Sequence, residues 1–349
     1  MSTNPRRPLR VMVVDDSAVA RQVLTSLLSA AGMEVQVAHD PLFAQQKMDR
    51  FHPDVVVLDL EMPRMDGLTF LRKLRHENPV PVVVCSGTTE GRGNKALMAL
   101  EEGAVEVVTK PKLGIRDFLY ESAVMLVDAV NAAAKARSPS LAPPEGSRRP
   151  PPLALPKPLS GFRKRVVAIG ASTGGPEAIR SILARWPEAA PPVVIVQHMP
   201  EGFTRAFANR LDELCGVRVR EAERGDVLEP GLALIAPGGR HLLVRRRGEA
   251  LVTDVIDGPL VSRHRPSVDV LFESVAEAAG RQAVGALLTG MGDDGARGLT
   301  LMKSAGAATL AQDEESSVVF GMPKAAIDLG AAGRVAPLSG MTAAILKEC

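Results

Sequence analysis

The stretch Val166-Val167-Ala168-Ile169-Gly170-Ala171-Ser172-Thr173-Gly174-Gly175-Pro176 decides the fold of the second half of the chain. Its first residues form a continuous apolar run, the pattern of a strand buried on both faces. The run breaks into a glycine loop, and Pro176 suits the first turn of a helix, where its missing N–H costs nothing. A serine at that break is expected to expose its hydroxyl on a sharp turn, with its backbone beside a helix N-terminus.

The same grammar extends outward. Further strands are expected at Val193–Gln197, Leu232–Ala236, Val284–Leu288 and Ala308–Ala311. Helices are expected at Pro176–Trp186, Phe203–Leu214, Val268–Ala279 and Gly295–Ser304. One departure, Leu242–Val244 and Ala250–Val252 about Arg246-Arg247-Gly248, reads as a β-hairpin. The first half alternates in the same way, with apolar strands at Leu9–Val14, Val35–Ala38, Val55–Leu58, Val82–Cys85 and Glu106–Val108. Alternating β and α with continuous apolar strands predicts an α/β chain of two doubly wound parallel sheets. Pro139, Pro143, Pro144, Pro150, Pro151, Pro152, Pro156 and Pro158 crowd the segment between the halves, a composition for a semi-extended linker.

At 349 residues the chain has room for two cores. A net charge of +2 gives no footprint for nucleic acid, and 3% aromatic residues argue against base stacking. Three scattered cysteines (Cys85, Cys215, Cys349) suggest neither a disulfide framework nor a metal cluster, so a reducing cytoplasm is the expectation. The N-terminus has no apolar signal-peptide core, and no apolar run approaches the ~18 residues of a membrane span.

Ligands of parallel α/β sheets bind at the carboxyl ends of the strands. Asp15, Asp16, Asp59, Ser86 and Lys110 all fall just past such ends. Three convergent carboxylates suit a hard divalent cation such as Mg2+, which offsets the charge of an incoming phosphoryl group. Asp59, on the central strand, is the natural nucleophile. Lys110 and the Ser86 hydroxyl can meet phosphoryl oxygens. This pattern resembles the two-component receiver domain, a flavodoxin-like fold. The resemblance implies phosphorylation of Asp59 by a histidine kinase. It also implies a metal held by the carboxylates of Asp15, Asp16 and Asp59 and by the Glu61 carbonyl. Many receivers carry an aromatic switch residue three positions before the lysine; here that position is Val107.

In the second half, Ser172 needs a base. Of six histidines, His198 alone ends an apolar strand directly after the one that presents the serine; His241 and His264 are its rivals. Asp293 and Asp294 lie in a second glycine loop, and one of them can orient the imidazole. The loop glycines free N–H groups to face an oxyanion, with Met291 N–H the candidate; such a donor is worth on the order of 10²–10³ in rate. Gly170–Gly174 matches the G-x-S-x-G elbow, but the order Ser, His, Asp is not that of the α/β-hydrolases. A dinucleotide fingerprint would need G-x-G spacing and an acid after the next strand, which here ends in Gln197-His198.

Five segments together resemble the chemotaxis response-regulator methylesterases: Gly170–Pro176, Gln197–Pro200, Ala236–Gly239, Arg265–Phe272 and Leu288–Gly295. The resemblance implies a receiver over residues 8–133, a linker over 134–163 and a Rossmann-like hydrolase domain over 164–349. It implies Ser172 as nucleophile, His198 as base, Asp294 as orienting acid and Met291 N–H as oxyanion donor. The implied reaction is hydrolysis of γ-glutamyl methyl esters on methyl-accepting chemotaxis receptors, with deamidation of receptor glutamines. The implied phosphoryl donor is the chemotaxis histidine kinase, and ester hydrolysis itself needs no cofactor. The chain is expected to be a cytoplasmic monomer whose unphosphorylated receiver blocks receptor access to Ser172. A receiver-controlled hydrolase of another receptor pathway and a non-enzymatic receptor-binding regulator are the competing readings.

Overall fold

The computed structural model describes residues 7–62, 65–87, 92–111, 116–136, 153 and 165–349, with no side-chain account of 92 and 116–121. The chain divides after Ser138 into two compact units. Of the proline-rich segment 134–163, residues 137–152 and 154–163 lie outside the described residues.

The first unit is a five-stranded parallel sheet in the order β2-β1-β3-β4-β5. The strands are β1 (Arg10–Val14), β2 (Glu34–Ala38), β3 (Val55–Leu58), β4 (Val82–Ser86) and β5 (Glu106–Thr109). Helices α1 (Ala18–Ala30), α2 (Pro41–Phe51), α3 (Gly67–Glu77), α4 (Arg92–Glu101) and α5 (Arg116–Lys135) alternate with them. Val55–Leu58 is buried along its whole length, as a central strand covered on both faces requires. Three helices start on aspartate or serine caps: Ser17 accepts from Ala20 N–H, Asp40 from Phe43 N–H and Asp66 from Thr69 N–H.

The second unit holds a seven-stranded parallel sheet in the order β14-β13-β12-β6-β7-β9-β8. Its strands are β6 (Val166–Ala171), β7 (Val193–Gln197), β8 (Arg218–Glu221), β9 (Leu232–Ile235), β12 (Ala283–Leu287), β13 (Ala308–Gln312) and β14 (Arg334–Ala336). Strands β10 (His241–Arg247) and β11 (Ala250–Ile256) pair as a separate antiparallel hairpin. The helices are α6 (Gly175–Leu183), α7 (Phe203–Leu214), α8 (Val268–Ala279), α9 (Ala296–Ser304), α10 (Met322–Asp328) and α11 (Leu338–Glu348). A buried cluster joins Val166, Val194, Leu234, Leu271, Phe272, Val275 and Leu299 between the sheet and the helices on one face.

Several details differ from what the sequence suggests, helices α10 and α11 among them. The hairpin turn is Gly248-Glu249, not Arg246–Gly248: Arg247 pairs with Ala250, and Gly248 takes the left-handed φ of 60° that a two-residue loop demands. Helix α6 stops at Leu183, short of Trp186, because Pro187 disfavours helical backbone in the residue before it. The edge strands β8 and β14 carry too short an apolar signal to stand out.

Both sheets have a topological switch point, where neighbouring strands are joined by chain running off in opposite directions. In the first it lies between β1 and β3, and in the second β6 is flanked by β7 and β12. Asp15, Asp59, Ser172 and His198 follow β1, β3, β6 and β7 directly, and Asp294 lies in the loop after β12.

Candidate functional site

In the second unit, β6 and β7 pair with Ala171 opposite Gln197, and His198 N–H donates to Ala171 O at 3.1 Å. That register sets Ser172 and His198 side by side at the carboxyl edge. The serine turn is tied down from three sides. Ser172 N–H donates to Thr289 O at 3.0 Å, and Ser172 O accepts from Gly175 N–H at 2.7 Å. Gln197 Nε2 donates to both Ser172 O (3.0 Å) and His198 O (3.1 Å), clamping the two turns together. Ser172 is only 7% exposed, contrary to the exposed hydroxyl expected from the sequence. The reason is close packing: a Cβ on Gly290 would lie 2.7 Å from Ser172 Cβ, so only glycine lets this loop approach.

Asp294 meets His198: Nε2 lies 2.8 Å from Asp294 Oδ2. The carboxylate is otherwise saturated. It accepts from Ser267 Oγ (2.8 Å), Val268 N–H (2.7 Å) and Asp269 N–H (3.0 Å), the last two being the first turn of α8. Burial pushes the Asp294 carboxyl up, but the His198 bond and charge and the Asp269 and Val268 N–H groups outweigh it and hold it below the ordinary range. Asp293 is exposed and lies outside this cluster.

With Nε2 committed to Asp294, Nδ1 is the nitrogen left for a proton. It is buried and, among the described residues, has no hydrogen-bond partner. The arrangement inverts the commoner triad, in which Nδ1 faces the acid. No hydrogen bond joins the Ser172 hydroxyl to His198 in this conformation; such contacts commonly tighten only when substrate binds. Met291 is half-buried at the same edge, while the preceding Gly290 N–H is taken by Val319 O at 3.0 Å.

The other two candidate bases have different surroundings. His241 accepts from Ser267 N–H at Nδ1 (3.2 Å) and donates from Nε2 to Pro259 O (2.8 Å), so both nitrogens serve the fold. His264 stacks on His198 without bonding to Asp294. Sequence reasoning passed over Ser267, Asp269 and the clamp made by Gln197. Ser267 and Gln197 stood inside motifs whose partners lie 25 or more residues away, and only the fold brings those partners close.

In the first unit, Asp15, Asp16 and Asp59 place a carboxylate oxygen each within 4.8 Å of one another. Lys110 Nζ sits between two of them, 2.7 Å from Asp15 Oδ2 and 2.6 Å from Asp59 Oδ2. Burial pushes the Asp59 carboxyl up and Asp15 adds to this, while Lys110 opposes it; the outcome is a raised pKa. Burial works against the Lys110 charge, but the two carboxylates outweigh it and raise its pKa. An all-oxygen set of three carboxylates fits a hard divalent ion. Glu61 follows on the same loop, its N–H donating to Asp59 Oδ1 at 3.3 Å. Ser86 closes β4 and is buried, and Val107 in β5 is buried.

The CheB methylesterase model matches residues 167–345, and the response regulator receiver domain model matches residues 11–116. The chain belongs to the CheB methylesterase family. It carries a receiver domain ahead of that enzyme's catalytic unit. It is 56% identical over 98% of its length, and 97% of the relative's, to "Protein-glutamate methylesterase/protein-glutamine glutaminase 5" of Anaeromyxobacter dehalogenans. It is 51% identical, over 98% of its own length and 99% of the relative's, to number 3 of that name in Geobacter metallireducens. Among solved structures, the CheB methylesterase catalytic domain of Thermotoga maritima covers 53% of this chain and 98% of its own, at 37% identity and a TM-score of 0.52. No helix among the described residues is long and apolar enough to cross a membrane.

Proposed function

We propose that this member of the CheB methylesterase family hydrolyses γ-glutamyl methyl esters on methyl-accepting chemotaxis receptors and deamidates receptor glutamines, under control of Asp59 phosphorylation. The observation that carries the reading is the His198–Asp294 bond at 2.8 Å beside Ser172, with one buried imidazole nitrogen unspoken for. Ser172 Oγ attacks the ester carbonyl, and His198 Nδ1 takes its proton. Asp294 orients the ring and stabilises the imidazolium. Met291 N–H faces the oxyanion. The proton then passes from His198 to the leaving methoxide, and methanol departs. Water, deprotonated by the same nitrogen, releases glutamate from the acyl-serine. With a glutamine substrate the leaving group is ammonia.

In the receiver, Asp59 accepts a phosphoryl group from the chemotaxis histidine kinase. Asp15, Asp16, Asp59 and the Glu61 carbonyl would hold Mg2+, whose charge offsets that of the phosphoryl group. Lys110 and Ser86 meet its oxygens. Receiver, linker and catalytic unit span 8–133, 134–163 and 164–349, in a cytoplasmic monomer. The test is methanol release from methylated receptor membranes by the purified protein. Wild type should release methanol and Ser172→Ala should not; release by Ser172→Ala would move the nucleophile elsewhere.

A further inference from the structure

The imidazole rings of His198 and His264 lie face to face, with centroids 3.7 Å apart and planes 10° from parallel. We propose that His264 is a positioning residue for the base: its ring fixes the plane of His198 and keeps water off that face. The proposal rests on His198 being the base of the reaction above. Asp294 anchors His198 at one atom only, and a single hydrogen bond leaves a ring free to tilt about it. Nδ1 has no partner to hold it. A stacked ring removes the remaining freedom and leaves Nδ1 aimed for proton transfer.

The backbone around His264 is braced to present that ring. Val261 and His264 exchange both N–H···O bonds, at 3.1 and 2.9 Å. Between them Ser262 and Arg263 both take left-handed φ values, 49° and 67°. Two successive left-handed residues make the tight turn that normally selects glycine or asparagine. Serine and arginine there are strained, so the surroundings must over-determine the turn. Ser262 Oγ donates to Asp269 Oδ2 at 3.3 Å and accepts from Arg297 at 3.2 Å. Asp269 Oδ1 in turn accepts from Gly295 N–H at 2.9 Å and Gly298 N–H at 2.7 Å, the segment that follows Asp294. On the other side, Arg265 O accepts from Gly239 N–H at 3.2 Å. The same network thus sets both groups that touch the His198 ring, its acid partner and its stacked neighbour.

Charge agrees with this role. Burial, then the nearby charges of His198 and Arg263, push the His264 imidazole towards its neutral form, against the pull of Asp294. A neutral face tolerates the imidazolium that forms on His198 during turnover, whereas a second cation there would repel it.

The test compares His264→Ala, His264→Phe and wild type as full-length proteins, with two readouts. One is kcat and KM for methanol release; the other is the rate at which a fluorophosphonate labels Ser172. His264→Ala should lower kcat and labelling about tenfold or more, with KM little changed, because a loosened base misses its near-attack geometry. His264→Phe keeps a flat ring and should recover most of both. Unchanged rates in His264→Ala overturn the proposal, as does a loss that His264→Phe fails to recover. Should His264→Ala not fold, the Phe variant still decides: near-wild-type rates support a packing ring, and a deep loss refutes it. If wild-type protein is labelled at Ser172 yet releases no methanol, the methylesterase reading fails, while the labelling rates still judge His264.

Discussion

Asp59 and Asp294 occupy corresponding places, each in the loop after a strand beside its sheet's switch point, and their surroundings push them in opposite directions. Asp59 is buried among carboxylates, with Asp15 raising its pKa and Lys110 the nearby cation. Asp294 is buried among donors: Ser267 Oγ, the first N–H groups of α8 and His198. The receiver edge is thus short of positive charge and suits an incoming metal and phosphoryl group. The catalytic edge is complete in itself and leaves one nitrogen unsatisfied, which suits proton transfer. One sheet architecture serves two chemistries because the groups facing the aspartate differ.

Substitutions at the catalytic edge should have the largest effects. Ser172→Ala should reduce methanol release to background, and Asp294→Asn should cut kcat by roughly 10⁴, by analogy with triads that lose the acid's charge. Steady-state kinetics on receptor membranes check both. A smaller loss in Asp294→Asn would mean that the saturated carboxylate is chiefly a helix cap. At the receiver edge, Lys110→Met should slow phosphorylation from a small-molecule donor by about 10²-fold while leaving basal methanol release unchanged. Intact-mass analysis of the phosphorylated fraction follows it.

Ser267→Ala removes one of the four donors to Asp294 and should destabilise the catalytic unit by about 1–2 kcal/mol, with a few-fold fall in kcat. Denaturant unfolding measures the first. The smallest effect concerns acid. His264 has a pKa depressed below its ordinary 6.5, so below that pH the unfolded chain binds a proton that the folded state resists. Stability should therefore fall as pH drops from about 6.5 towards 5, and His264→Phe should flatten that slope. Unfolding midpoints at several pH values decide it.

The fold was legible because continuous apolar strands ending in Asp15, Asp59, Ser172 and His198 announce a parallel sheet and its carboxyl edge together. The short edge strands were not: β8 alternates exposed and buried residues over four positions, and β14 spans three. Within the site, residues on strand ends and in the glycine loop after β12, Met291 and Asp294 among them, are readable, but those on the remaining connections are not. His264 sits in a polar stretch between two arginines, and nothing local says that its ring reaches His198. Asp269 looks like an ordinary first-turn acid until the fold brings Gly295 and Gly298 to it. The unexposed Ser172 was also out of reach, since it depends on Gly290 arriving from a loop over a hundred residues away.

Phosphorylation of Asp59 at the acid-rich edge should govern hydrolysis at the donor-rich one. The direct measurement is methanol release from methylated receptor membranes, with and without a small-molecule phosphoryl donor, for wild type and Asp59→Asn. Wild type should be stimulated roughly 5–150-fold, the range of a typical coupling free energy, and Asp59→Asn should not respond. Equal stimulation of both proteins would place the control elsewhere than at Asp59.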